Sequence, residues 1–414
     1  MTLDSTDNPS NISKTSLDIS SKPSSKLKYA VIHAFFKSDC KGGGEKVVFA
    51  IRDHYKADLY AGAVDLENWD LRKRPNDSFV QTLWNKNYNF KWLHQDSYIP
   101  IWNKIKRQLA FAFSPIVKEL ENYDVVFWSG NISMAQSRVQ KPLKILYCHT
   151  TPRPFTDQLQ ANLDTMPFWF RPFFGLFARW VVWQYTQDCL KMDLLVSNSK
   201  NIQNRLKTWT GLDSTVIYPT VDTNRFQFIN QGDYFISYAR LEEIKRIKLI
   251  IEAFESMPEH KLVICSAGPL TNWVKERIES KQLTNITFEG MVTDERLVEL
   301  VGGALAGIYI PINEDAGITQ IEIMSAGKPV IGVNEGALPD TVIDNETGLI
   351  IPANPTLEDL KTAIRTMTPQ LATSMQSKCI EHAKTFDQSV FFEKMDIEIN
   401  KLLEAKRKPE NANQ

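Results

Sequence analysis

The sequence predicts an α/β protein of two doubly wound domains that face a central cleft. Three observations carry this prediction. From residue 27 onward, short apolar runs alternate with longer amphipathic stretches, the pattern of parallel sheets covered by helices on both faces. The alternation comes in two series, broken at residues 218–233 by Pro219, Asn224, Asn230 and Gly232. The 414 residues also suffice for two domains of ordinary size.

In the first series the candidate strands are residues 29–36, 125–128, 145–148, 194–198 and 216–218. In the second they are residues 234–238, 261–266, 286–289, 306–310 and 329–333. Helical periodicity fills residues 247–254, 272–279 and 295–302, and a last helix spans 388–403 after the second sheet. Residues 1–26 are Ser-, Asn-, Asp- and Lys-rich without an apolar core, so they read as a disordered tail and not as a signal peptide. The expected divisions are a tail to residue 26, a first domain over 27–225, a second over 226–387, and a helix and tail over 388–414. Ligands of such domains bind outside the carboxyl ends of the strands, which here line the cleft.

Composition narrows the chemistry. With 43% hydrophobic and 23% charged residues and a net charge of -1, nothing draws the chain to nucleic acid. Cys40, Cys148, Cys189, Cys265 and Cys379 form no CxxC pair, which suits reduced thiols in the cytoplasm. No apolar run is long enough to cross a bilayer, so any membrane contact would be at the surface. There is no Asp-x-Asp, the six histidines are scattered, and no GxSxG occurs, so neither a metal site nor a hydrolase nucleophile is expected.

The densest signal lies at residues 310–352. Glu314 and Glu322 are separated by seven residues, the first in a loop after a strand, the second in a helix ending at Gly327. A carboxylate accepts hydrogen bonds from hydroxyls and a helix N-terminus attracts phosphate, so one segment can hold both halves of a nucleotide sugar. Gly317, Gly327, Gly336 and Gly348, with Pro311, Pro329, Pro339 and Pro352, punctuate the stretch, which favours a shaped site over a plain helix with Glu322 at its surface. Arg240 and Lys245 follow the first strand of the second domain. They can neutralise a diphosphate leaving group, although alone they also fit a solvated helix start. His149 follows a strand in Cys148-His149-Thr150-Thr151-Pro152-Arg153 and faces the cleft, either bonding a sugar hydroxyl or lying buried against backbone. Gly42, Gly43 and Gly44 open the first helix and let a ligand come close to the backbone, or simply make a flexible turn.

Together these residues resemble family 4 glycosyltransferases of the GT-B fold. The resemblance rests on E-x7-E followed by the A-G-K-P-V-I, G-A-L-P-D-T-V and T-G-L-I-I-P blocks, on the Arg-x4-Lys pair, and on Ile217-Tyr218-Pro219-Thr220-Val221-Asp222. It implies that Arg240 and Lys245 bind the donor diphosphate, Glu314 the donor sugar and Glu322 the ribose. Ala316, Gly317, Ile318 and Thr319 would offer backbone N–H groups, Gly42, Gly43 and Gly44 would lie near the phosphates, and Met291 and Val292 would lie near the base. It further implies a retaining, metal-independent reaction with no cofactor beyond the donor. The Cys148 loop resembles a subgroup signature, Cys-His-Thr-Pro-x-Arg-Tyr-x-Trp-Asp, found in mannosyltransferases of bacterial surface polysaccharide assembly, with His149, Thr150, Arg153 and Asp157 in matching places. Thr151, Pro154, Thr156 and Ala316 depart from the usual residues.

The implied activity is transfer of mannose from GDP-mannose to a growing, polyprenyl-linked surface glycan, with Arg153 and Asp157 on the acceptor side. A UDP-sugar, a soluble acceptor, a non-catalytic sugar-nucleotide-binding protein and a related epimerase are the alternatives. Residues 168–183, FWFRPFFGLFARWVVW, combine aromatics with Arg171 and Arg179. They read either as a core helix or, with Trp102, Lys104, Lys106 and Arg107, as a surface that docks to the inner face of the plasma membrane.

Overall fold

The computed structural model describes residues 27–36, 42–64, 90–92, 115–130 and 138–411. The first sheet contains β1 (Tyr29–Phe36), β2 (Asp58–Val64), β3 (Phe90–Trp92), β4 (Val125–Ser129), β5 (Leu143–Cys148), β6 (Leu194–Ser197) and β7 (Thr215–Val216). Its order is β3-β2-β1-β4-β5-β6-β7, and all its pairings are parallel. Helices α1 (Gly43–Tyr55), α2 (Leu159–Asp164), α3 (Arg171–Cys189) and α4 (Lys200–Thr210) accompany it.

The second sheet contains β8 (Tyr234–Ser237), β9 (Lys261–Cys265), β10 (Ile286–Gly290), β11 (Ala306–Ile308), β12 (Val330–Val333) and β13 (Gly348–Ile351). It runs β10-β9-β8-β11-β12-β13, again parallel throughout. Its helices are α5 (Ile247–Glu255), α6 (Thr271–Ser280), α7 (Asp294–Gly302), α8 (Thr319–Ser325), α9 (Leu338–Thr341), α10 (Leu357–Thr366) and α11 (Pro369–Lys384), before a final α12 (Gln388–Asn411).

Central strands are buried on both faces, as β4 and β12 show at every residue. That is why they read as continuous apolar runs in the sequence. Three strands lack that signal and are not predicted by it. β2 (DLYAGAV) starts on Asp and carries a Gly, β3 is three residues long, and β13 opens on Gly348. A Cβ at Gly348 would lie 2.0 Å from the Val330 carbonyl oxygen, so this strand needs glycine to approach its neighbour.

The chain crosses between domains twice, side by side. Val221 pairs with Asp387 in an isolated parallel bridge, and the Thr223 hydroxyl donates to the Asp387 carboxylate at 2.6 Å. After the second crossing, α12 returns to the first domain. Its Phe391, Phe392, Met395 and Ile399 join Val31, Phe127 and Ile145 in one core.

Helix α3 buries Ala178, Tyr185 and Cys189 on one face. The opposite face, at i, i+3, i+4, i+7 and i+10, leaves Phe173 66%, Leu176 63%, Phe177 44%, Trp180 47% and Trp183 55% exposed. The core-helix reading of this segment therefore holds for one face only. Residues 101–113, read with it as a docking surface, lie outside the described residues. Cys148, Cys189, Cys265 and Cys379 are free and buried, and Cys40 lies outside the described residues.

Candidate active site

The strand order places three polar residues at neighbouring carboxyl ends. His33 lies on β1, Ser129 ends β4 and His149 follows β5. The Ser129 hydroxyl sits between two imidazoles, 3.0 Å from His33 Nδ1 and 2.7 Å from His149 Nε2. It can donate to one and accept from the other. Burial, with His33 nearby, lowers the His149 pKa to about 3, so the ring is neutral at working pH. Its chemistry is that of a neutral hydrogen-bonding group. The Asn198 amide fixes the loop by donating to the His149 carbonyl at 2.9 Å.

Helix α1 begins over this ring. A Cβ on Gly44 would lie 3.6 Å from the imidazole, and Gly42 caps the helix at an ordinary φ of -68°. Gly42, Gly43 and Gly44 are not among the positive-φ residues; Gly44 supplies room beside His149, Gly42 makes room for the Glu45 side chain, and a Cβ on Gly43 would meet nothing within 4 Å.

The opposite wall comes from the second domain. The Lys245 ammonium lies 2.5 Å from Glu314 Oε2 and 3.0 Å from the Tyr309 hydroxyl. Glu322 is buried on α8, which overturns the alternative of a surface residue. One of its oxygens accepts from the Tyr238 hydroxyl at 3.1 Å, and the other meets Lys46 of α1 at 3.0 Å, across the cleft. Gly327, with φ +71°, ends the α8 turn as expected.

The loop bearing Glu314 is held from below. A Cβ on Gly336 would fall 2.4 Å from the Glu314 nitrogen, and Ala337 N–H donates to the Glu314 carbonyl at 3.0 Å. Glu335 accepts from Asn313 N–H at 3.2 Å and pairs with Arg246 at 2.5 Å. Ala316 is buried, Gly317 takes φ +67°, Ile318 caps α8 and Thr319 starts it.

Other expected residues lie nearer the rim. Arg240 pairs with Glu242 at 2.9 Å and its side chain is half exposed. Met291 is exposed, while Val292 packs against the second-domain core. Arg153 and Asp157, expected toward an acceptor, pair with each other at 3.0 Å, and Arg153 reaches Asp315 of the loop bearing Glu314 at 3.5 Å. Lys46, Tyr238, Tyr309, His33, Ser129 and Arg205 are not singled out by the sequence. Only the strand order, which brings the β1, β4 and β5 ends together, groups His33 and Ser129 with His149. Among the described residues, no three His, Cys, Asp or Glu side chains cluster as metal ligands.

Comparison with known proteins decides the class of chemistry. Residues 221–386 match the family "Glycosyl transferases group 1". The chain is a glycosyltransferase. It resembles alpha-1,3/1,6-mannosyltransferase ALG2 of Dictyostelium discoideum, with 28% identity over 307 residues covering 63% of this chain and 70% of that protein. A D-inositol 3-phosphate glycosyltransferase of Mycobacteroides abscessus is 25% identical over 48% of this chain, which spans about half (49%) of that relative. Solved structures share the fold. Anabaena Alr3699/HepE in complex with UDP superposes with a TM-score of 0.66 at 15% identity, over 91% of this chain and 100% of that one. The lipopolysaccharide outer core galactosyltransferase WaaB gives 0.64 at 14%, over 92% and 100%. This glycosyltransferase therefore has the two-domain GT-B architecture, with the matched family segment forming the wall that carries Lys245, Glu314 and Glu322.

Proposed function

We propose that this glycosyltransferase is a retaining, metal-independent family 4 enzyme. On this reading it moves mannose from GDP-mannose to a growing, lipid-linked surface glycan at the inner face of the plasma membrane. The observation that carries this is the convergence of Lys245, Glu314 and Glu322 on one wall of the cleft, opposite neutral His149. Glu314 accepts from sugar hydroxyls and Glu322 from ribose hydroxyls. Lys245 and Arg240 stabilise the diphosphate as the bond from the anomeric carbon to the phosphate oxygen breaks. The acceptor oxygen bonds to that carbon on the face the diphosphate leaves, and its proton passes to a phosphate oxygen. Atoms and charge then balance without a protein base or a metal.

The similarity to proteins named as mannosyltransferases supports the sugar. A thermal-shift panel of nucleotide sugars, followed by transfer assays, tests the donor. Greater stabilisation by GDP than by UDP is expected. A preference for UDP would replace the donor, and no shift with any nucleotide would sink the transferase reading.

The exposed face of α3 supports the lipid-linked acceptor. Its aromatic side chains are joined by Arg171 and Arg179, and no acidic residue lies between Asp164 and Asp188. Trp and Phe at headgroup depth with flanking cations suit an anionic bilayer surface. Among the described residues no helix is long and apolar enough to cross a membrane. Co-sedimentation with anionic vesicles should exceed that with neutral ones and fall in Phe177→Ser/Trp180→Ser. Equal binding to both kinds of vesicle, or none, would count against membrane contact.

A further inference from the structure

The donor-sugar carboxylate sits on a loop that the first domain grips. Helix α4 supplies the grip from one face. Its cap, Ser199, accepts from Ile202 N–H at 3.1 Å and donates its own hydroxyl proton to the Asp315 carbonyl. Asn201 donates to the Glu314 carbonyl at 2.8 Å and lies 3.2 Å from Asn313 Oδ1. One turn on, Arg205 spreads its fork over two residues. Nη1 lies 2.6 Å from Asp315 Oδ1 and Nη2 lies 3.0 Å from Asn313 Oδ1. Three consecutive loop residues, with Glu314 at the centre, are thus bonded to one helix of the other domain.

Arg205 is only 7% exposed, and its charge is balanced across the boundary. Asp157 lies 3.9 Å from its Nε, and Arg153 bridges Asp157 and Asp315. Two cations and two carboxylates therefore form a neutral quartet, with three members on the first domain and Asp315 on the second. Such a group is costly to desolvate unless every partner is in place, so its energy depends steeply on geometry.

From this we infer that Arg205 is a positioning residue, clamping the Asn313-Glu314-Asp315 loop so that Glu314 reaches its working place only when the two domains meet. Arg153 and Asp157 act in the same clamp, holding Arg205 and Asp315, instead of contacting the acceptor. This rests on the proposed role of Glu314 toward the donor sugar. It makes closure and placement of the sugar-binding carboxylate one event.

The clamp touches neither nucleotide nor phosphate in this scheme, so its loss should separate binding from turnover. The test compares wild type, Arg205→Met, Asp315→Asn and the double variant in the full chain. Calorimetry with the nucleoside diphosphate and steady-state transfer are measured, using whichever nucleotide sugar the wild type turns over. A different donor then changes the reagent and leaves the comparison of variants intact. Each single variant should bind the diphosphate within about threefold of wild type while kcat falls at least about tenfold. The double variant should be no worse than the singles, the mark of one shared interaction. Turnover at the wild-type rate in Arg205→Met, or equal losses in diphosphate affinity and kcat, would overturn the clamp. If Arg205→Met fails to fold, Asp315→Asn, which keeps shape and volume, carries the same two outcomes.

Discussion

Replacing Glu314 by Gln should move nucleotide binding and transfer in opposite directions. The carboxylate lies 2.5 Å from the Lys245 ammonium, and the two side chains are only 16% and 18% exposed (Lys245 and Glu314 respectively). A diphosphate drawn to Lys245 therefore also meets the negative charge of Glu314. Two phosphate charges about 6 Å from that carboxylate, in a medium of effective dielectric about 60, repel it by roughly 2 kcal/mol. Salt screening trims this to about 1–1.5 kcal/mol, close to tenfold in Kd. The amide keeps the shape and removes the charge, so GDP should bind about tenfold tighter to Glu314→Gln. Transfer should fall, because a charged acceptor for a sugar hydroxyl is worth about 1.5–3 kcal/mol, or roughly 10- to 100-fold in kcat. Calorimetry with GDP and a transfer assay with GDP-mannose read the two effects separately. Weaker GDP binding together with transfer within twofold of wild type would refute the reasoning on both counts.

Three further outcomes are expected. Arg240→Ala should weaken GDP binding and transfer alike, by about tenfold each. Its melting temperature should stay unchanged, because the half-exposed Arg240–Glu242 pair holds little folding energy, and an unchanged Kd for GDP would remove Arg240 from the site. His149 is held neutral down to about pH 3. Between that value and its ordinary 6.5 the unfolded chain binds a proton that the folded chain refuses, so stability must fall as pH falls through this window. His149→Asn lacks this term, and thermal melts at neutral and mildly acid pH should show the wild-type advantage shrinking with acidity; a constant difference would contradict a buried neutral ring. Lys328 is fully buried, donates to the Asn230 carbonyl at 2.7 Å, and has its pKa lowered by burial to about 8. The unfolded chain keeps its proton up to about 10.5, so stability gains from this residue as pH rises between these values. Denaturant unfolding of wild type and Lys328→Met across that range should show a slope that only the wild type has.

The second domain was the more legible half, for a physical reason. Strands buried on both faces, such as β9 and β12, leave uninterrupted apolar runs, and Gly317 and Gly327 mark turns whose φ values are +67° and +71°. Glu314 and Glu322 lie eight positions apart, so spacing alone could pair them, whereas Lys245 meets Glu314 over a separation of 69 residues. The cross-domain contacts leave no such trace. Lys46 meets Glu322 over a separation of 276 residues and Arg205 meets Asp315 over 110. Lys46 sits in a helix whose visible signal was the glycines before it, and Arg205 looks like an ordinary polar helix residue. The triad of His33, Ser129 and His149 depends on β4 lying between β1 and β5, which strand order reveals and residue order does not.

Glu314 and Glu322 differ in where their cations come from, and this bears on how the cleft works. Glu314 is paired by Lys245 within its own domain, whereas Glu322 is paired by Lys46 from the other. The Glu322 side chain is 9% exposed, so these partners stand in for water around its oxygens, while Lys46 at 35% can exchange its partner for water or phosphate at small cost. On the proposed reading, ribose hydroxyls donate to Glu322 and share its oxygens with Lys46 and Tyr238. On that reading ribose would weaken the hold of Glu322 on Lys46, and the ammonium would then be available to a diphosphate near Gly42, Gly43 and Gly44. Nucleotide binding therefore need not break the domain contact. Lys46 can serve it from a carboxylate or from a phosphate, while the contacts of Arg205, Asn201 and Ser199 keep the sugar-binding loop in register.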